Sequence, residues 1–173
     1  MVAVASTITE TVQALLSCVC DALVEDGRPV CSCYQAIGTP VILQCCECED
    51  GTSNGELSVH VRRVFDADQD LIEVQRTRPC SRGMLAAQLR FVLARCRPII
   101  DEHGELPSHE EITDYAEDQV RDIEIMWRAL TCCPDGLRIR VDDISVDLSE
   151  PGTCSVVYAD VTVEIALPKP DSQ

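Results

Sequence analysis

Hydrophobic positions divide the chain into stretches of two different periods. Ile8, Val12, Leu15, Leu16, Val19, Ala22 and Leu23 recur every three or four residues, the spacing of an amphipathic helix. Thr7 and Glu10 stand at capping-box spacing before this run, and Gly27 and Pro29 follow it, which predicts a helix over 7–25. From Glu56 the period becomes two: Leu57, Val59 and Val61 alternate with Ser58, His60 and Arg62, predicting a half-buried strand over 56–65. Residues 84–96 fit both periods, but Leu85, Ala87, Leu89, Phe91 and Leu93 alternate without a break, and the longer alternation favours a strand. Ser108 with Glu111 forms a second capping box. It opens the run Ile112, Tyr115, Ala116, Val120, Ile123, Trp127 and Leu130, which predicts a long helix over 108–131 with this stripe on its buried face. At about 1.5 Å per residue such a helix exceeds 30 Å, enough to cover one face of a small sheet.

The end of the chain reads as a hairpin over 137–167. Leu137, Ile139 and Val141 share one parity and Ile144, Val146 and Leu148 the other, which predicts a bulge near Asp142 and Asp143. Glu150, Pro151 and Gly152 supply the turn, and Val157, Ala159, Val161, Val163, Ile165 and Leu167 alternate on the return strand. Between the first helix and the first clear strand lies a cysteine-rich segment, 30–50, with one short apolar run at Val41, Ile42 and Leu43 and a turn cluster from Glu49 to Gly55. Strands that follow one another with few crossover helices imply a single α+β domain over 1–173: a mostly antiparallel sheet with an N-terminal helix and one long helix packed on it.

Composition narrows the function. Hydrophobic residues are 46% and charged residues 25%, so a core can form and the acidity is not that of a disordered polyelectrolyte. Asp and Glu number 30 against 14 Lys and Arg, a net charge of −16. That balance opposes gripping a phosphate backbone, whose affinity comes from Lys and Arg displacing condensed counterions. Aromatics are only 3%, leaving few platforms on which bases would stack. The apolar stretch from Val12 to Leu23 is broken by Asp21 and too short to span a bilayer, and residues 1–5 lack the basic start of a secretory signal. The expected setting is therefore a reducing cytoplasm, with no membrane partner.

No catalytic, cofactor-binding or metal-binding residue emerges. His60, His103 and His109 fall on a strand, in a loop and at a helix start, with no nucleophile elbow or phosphate-cradling glycine loop near them in sequence, so no enzyme is expected. Asp66, Asp68 and Asp70 alternate like a calcium loop but lack its glycine and distal Glu, so they read as a solvated turn. The twelve cysteines admit three readings. Cys31, Cys33, Cys45, Cys46 and Cys48 offer enough thiolates for a structural zinc, though with tighter bites than Cys-Xaa-Xaa-Cys. In a second reading some cysteines pair, for example one of Cys18 or Cys20 with one of Cys31 or Cys33, once the protein leaves a reducing compartment. Or the thiols are small buried apolar groups.

The run Cys31 to Cys46, the segment Gly55-Glu56-Leu57-Ser58-Val59-His60-Val61-Arg62-Arg63-Val64-Phe65, the lone Cys80, Ala94-Arg95-Cys96-Arg97-Pro98, and Trp127-Arg128-Ala129-Leu130-Thr131-Cys132-Cys133 together resemble small cysteine-rich head-to-tail connector proteins of bacteriophages, the siphophages that infect actinobacteria. The element order, with Gly27-Arg28-Pro29 after the first helix, is also similar to that of lambda-type tail terminators. The resemblance implies a structural virion protein of the neck: a homo-oligomeric ring, expected as a hexamer, that ends the tail tube, meets the tail tube protein and a head-closure or connector protein, and lets DNA pass through its lumen. A neighbouring head-closure or stopper ring, and a cytosolic zinc-stapled binding module, are the alternative readings.

Overall fold

The computed structural model describes residues 2–36, 55–75, 84–100, 103–132, 137–147 and 154–165, with side chains from Ile8 onward in the first helix. The elements are α1 (Val2–Glu25), β1 (Ser32–Ala36), β2 (Glu56–Ala67), β3 (Met84–Cys96), α2 (His109–Cys132), β4 (Ile139–Asp147) and β5 (Cys154–Ile165). The five strands form one sheet in the order β1-β2-β3-β5-β4. All pairings are antiparallel except β1 with β2, which are parallel. The architecture is the expected α+β arrangement. The strand expected over 84–96 is β3, and the bulge expected near Asp142 and Asp143 is the register shift between Val141 and Asp143.

Three expectations need correction. First, α1 begins at Val2, so Thr7 lies inside the helix and not at its start. Ala3 and Ala5 carry high helical propensity and nothing in the preceding residues breaks the helix. Second, β1 was not anticipated. It is five residues long and sits at a sheet edge, and Ser-Cys-Tyr-Gln-Ala has no apolar alternation to announce it. The candidate strand at 41–43 and the turns at 49–54 and 150–152 lie outside the described residues. Third, the buried face of α2 is Asp122, Ile125, Met126, Ala129 and Leu130, whereas Ile112, Val120 and Trp127 are half exposed or more. The stripe expected to face the core is turned about 100° away from it at 100° per residue. A polar residue at the centre of the buried face hid the pattern.

Both helices lie on one face of the sheet. There Leu15, Leu23, Leu57, Leu89, Phe91, Leu93, Ile125, Met126 and Val161 interlock with almost no exposed surface. Phe91 is the one aromatic ring among the largest fully buried side chains, so the core is aliphatic, each such side chain contributing about 1.5–3 kcal/mol on burial. The alternate positions bury smaller groups on the opposite face, Val92, Ala94 and Val156 near one end and Ala67, Leu71 and Ala86 near the other.

The end of α1 is set by local chemistry. Gly27 adopts φ 72°, its N–H donates to Val24 C=O at 3.0 Å, and Arg28 N–H donates to Leu23 C=O at 2.8 Å. This pair of bonds satisfies the carbonyls that the last turn would otherwise leave open, and the left-handed residue it requires is cheapest as glycine. Gly55, before β2, has φ 86°, and a Cβ there would sit 2.2 Å from Ala94 O. Only glycine lets β2 start this close to the end of β3. At α2 the second capping box forms as expected: Ser108 N–H and hydroxyl donate to Glu111 Oε2 at 2.7 and 2.8 Å, while Glu111 N–H donates to Ser108 Oγ at 3.2 Å.

Candidate functional site

Buried polar groups collect at the junction of α1, α2 and β3. The α1 cap brings Arg28 toward α2, and the parity of β3 turns Arg95 to the helix side of the sheet. Asp122, at 1% exposure, accepts from both: Arg28 Nε and Nη2 at 2.7 and 3.1 Å, and Arg95 Nε and Nη2 at 3.2 and 3.3 Å. Arg95 also donates to the Pro29 and Arg28 carbonyls at 3.1 and 2.8 Å. Arg28 reaches out to Asp118 as well. The hydrogen bond that Arg28 donates to Asp122 raises the Arg28 pKa above its ordinary value. Burial pushes Arg95 the other way, opposed by the Asp122 charge. Both guanidiniums remain cations. Beside them is a cavity of about 40 Å³ lined by Tyr115, Gln119 and the ion cluster. Every buried side-chain nitrogen and oxygen among the described residues has a partner. The cluster therefore acts as a brace that fixes three elements, with its donors already spent on one another.

A second polar row runs across the face of the sheet opposite the helices. Tyr34 donates to Glu56 Oε1 at 3.1 Å, and Ser58 Oγ lies 3.1 Å from His60 Nε2. Glu56, Ser58 and His60 are each 3% exposed or less. Burial first, and then the Glu56 charge, raises the Tyr34 pKa. The row continues into β3 and β5, where Arg90 faces His60 on one side and Asp160 on the other. Arg90 holds Asp160 through two bonds of 2.8 and 2.6 Å and lies over the Tyr158 ring. A serine beside a histidine invites a nucleophilic reading. Both are buried on one face of β2, two residues apart, where they bond to each other within the strand, and this is where His60 is placed. His103 and His109 are exposed, far from it in the chain.

The acidic turn is also accounted for. Asp68 Oδ1 accepts from Asp70 N–H and Ile72 N–H at 2.9 Å each, bracing a turn in which Leu71 takes φ 59°. Arg138 and Arg140 donate to the carbonyls of Gln69 and Asp70. Among the described residues no group of three or more His, Cys, Asp or Glu is placed to hold a metal ion.

The cysteines follow the bridging reading where they are described. Cys20 of α1 is bonded to Cys33 of β1, with Cα atoms 6.5 Å apart. Cys18 and Cys31 are also disulfide-bonded, as are Cys96 and Cys154, which face each other in the β3–β5 register. Cys31 and Cys33 are therefore not thiolates available to a zinc ion. Cys45, Cys46 and Cys48 lie outside the described residues, as do Cys80 and Cys133. Cys132 is free and exposed.

A concavity of about 510 Å³ opens between the end of α1 and α2. It is lined by Asp26, Glu117, Val120, Arg121, Glu124 and Arg128. Arg121 and Arg128 both reach Asp26, at 2.6 and 3.4 Å. The hydrogen bond from Arg121 holds the Asp26 carboxyl below its ordinary value. No helix of the described residues is long and apolar enough to cross a membrane. Set against protein-family models and against curated proteins, the chain matches none.

Proposed function

We propose that the chain is a structural virion protein, a tail terminator that forms a ring at the head-proximal end of a siphophage tail tube and lets DNA pass. The observation that carries this reading is the architecture: an open five-stranded sheet with α1 and α2 on one face, in the element order of a tail terminator. A head-closure or stopper protein would instead favour a mostly closed barrel with a long inserted loop. Among the described residues the sheet is open, and its edge strands β1 and β4 leave lateral surfaces for the heterologous contacts from which rings close. The buried polar clusters support a scaffold, since their donors and acceptors are used to hold elements in place.

The charge of −16 fits a channel protein whose lumen does not retain DNA. Imaging the purified oligomer tests the proposal. A closed ring whose pore admits duplex DNA and whose wall is lined with Asp and Glu is the expected result. A stable monomer at high concentration, with no ring in particles, overturns it, and a basic pore wall overturns the account of the charge. Metal analysis addresses the zinc-stapled module, which requires about one zinc per chain.

A further inference from the structure

We infer that the outer stripe of α2 is a self-docking surface, on which the α2 of a second copy lies antiparallel. Ile112, Val120 and Trp127 are 50%, 55% and 53% exposed, with Ala116 exposed and Ile123 half-buried between them. These five residues form one continuous apolar face that adjoins the face α2 buries, Ile123 packing on the main core and Ile112, Ala116, Val120 and Trp127 lying outside it. Large apolar groups aligned in this way on a strongly charged chain mark an interaction surface. The centre of the stripe, Val120, also lines the concavity at the end of α1, beside Arg121 and Glu124.

Two features of α2 point to a second copy as that body. The first is apolar register. An antiparallel copy that sets Ile112 against Trp127 also sets Ala116 against Ile123, because both pairs are centred between Gln119 and Val120. Large meets large at the ends and small meets medium between, so one register satisfies the whole stripe in both copies, as a two-fold contact requires. The second is charge. The N-terminal half of α2 exposes Glu110, Glu111, Asp114, Glu117 and Asp118 with no Lys or Arg, whereas the C-terminal half exposes Arg121 and Arg128. In the same register Arg128 falls level with Glu110 and Arg121 level with Glu117, on the same flank of the stripe. Glu124 alone meets the acidic half of its partner. A parallel arrangement would set like halves together, so the charges choose the antiparallel one. Arg121 and Arg128, now on Asp26, are exposed enough to extend to a neighbour.

This contact is isologous and does not rest on the ring reading: it would join two copies in solution, or one ring to another. Trp127 is the only tryptophan of the chain and therefore reports on the contact directly. The test is sedimentation of the full chain together with its tryptophan emission across a hundredfold dilution. The expected result is an even-numbered assembly whose emission moves to the red as it dissociates. Val120→Asp, which keeps the reporter, should weaken association at least tenfold while leaving the far-ultraviolet circular dichroism unchanged, and its melting curve should match that of wild type diluted to the dissociated state. Arg121→Glu should weaken it less, and adding Glu117→Arg in the same chain should recover the loss. An assembly whose emission is that of exposed tryptophan at every concentration overturns the α2 contact while leaving the ring reading standing. A monomer throughout, with no ring in particles, overturns both.

Discussion

The two helices cover the same face of one sheet, yet they are fastened to it in opposite ways. Around α1 everything is closed: its last turn is capped by Gly27, Cys20 is bonded to Cys33 of β1, and Arg28 just beyond it is locked to Asp122. Around α2 one face is equally closed, but the adjoining face presents Ile112, Val120 and Trp127 to solvent, and β4 is an edge strand among the described residues. Ionic and covalent ties hold the first region, whereas the outer side of the second is apolar surface without a covering. Stability should therefore reside in the first region and association in the second.

The largest effect should come from Asp122. Asp122→Ala leaves the buried Arg95 and the half-buried Arg28 without their counter-charge, and should destabilise the fold by about 3–5 kcal/mol. Urea unfolding monitored by circular dichroism measures it, and a loss below about 1 kcal/mol would show that the brace is not what holds the helices together. Next is the α1–β1 tie. Replacing Cys20 and Cys33 by serine opens a loop of sequence separation 13 and should cost about 3 kcal/mol. Amide exchange should then quicken in β1 while β3 and β5 keep their protection; a uniform loss across the sheet would mean that β1 is integral to the core and not an edge held by its staples.

Gly55→Ala should cost about 2 kcal/mol, since the new methyl meets the Ala94 carbonyl and the backbone sits at positive φ. Ser108→Ala, at the start of α2, should cost only about 1 kcal/mol. The cap also has a pH signature. Hydrogen bonds from the Ser108 backbone and hydroxyl hold the Glu111 carboxyl below its ordinary value of 4.5. A depressed carboxyl stabilises the fold above the unfolded value and loses that contribution as pH falls through the folded one. Unfolding curves of the wild type and Glu111→Gln should differ at neutral pH and converge in acid; curves that stay parallel would remove Glu111 from the cap. Smallest of all, Trp127→Asp should change the stability of the isolated chain by no more than about 0.5 kcal/mol. A large loss would place Trp127 in the core and erase the contrast between the two regions.

Much of this fold was legible because its signals are local. The alternation through Leu85 to Leu93 and Val157 to Ile165, the Ser108–Glu111 box, the glycine after α1 and the parity change at Asp142 each rest on residues a few positions apart. β1 was not legible, since a short parallel edge is specified by its neighbours, here by β2 and by Cys20, and not by its own pattern. Nor was the orientation of α2. The carboxylate of Asp122 reads as solvent-facing until Arg28 and Arg95, distant in sequence, supply its counter-charge, and without it the apolar stripe from Ile112 to Trp127 looks like the core face. A buried ion cluster whose members are spread across the chain leaves no spacing by which to find it.

By itself, then, the sequence determined the type and order of most elements, the aliphatic character of the core and a net charge of −16, because propensity, periodicity and charge are properties of neighbouring residues and of totals. Only the tertiary structure decided which face of α2 is buried, which cysteines are joined, and that Ser58 and His60 are buried within the sheet. Each of these depends on long-range pairing, which sets whether a polar side chain finds a partner inside or must remain in water.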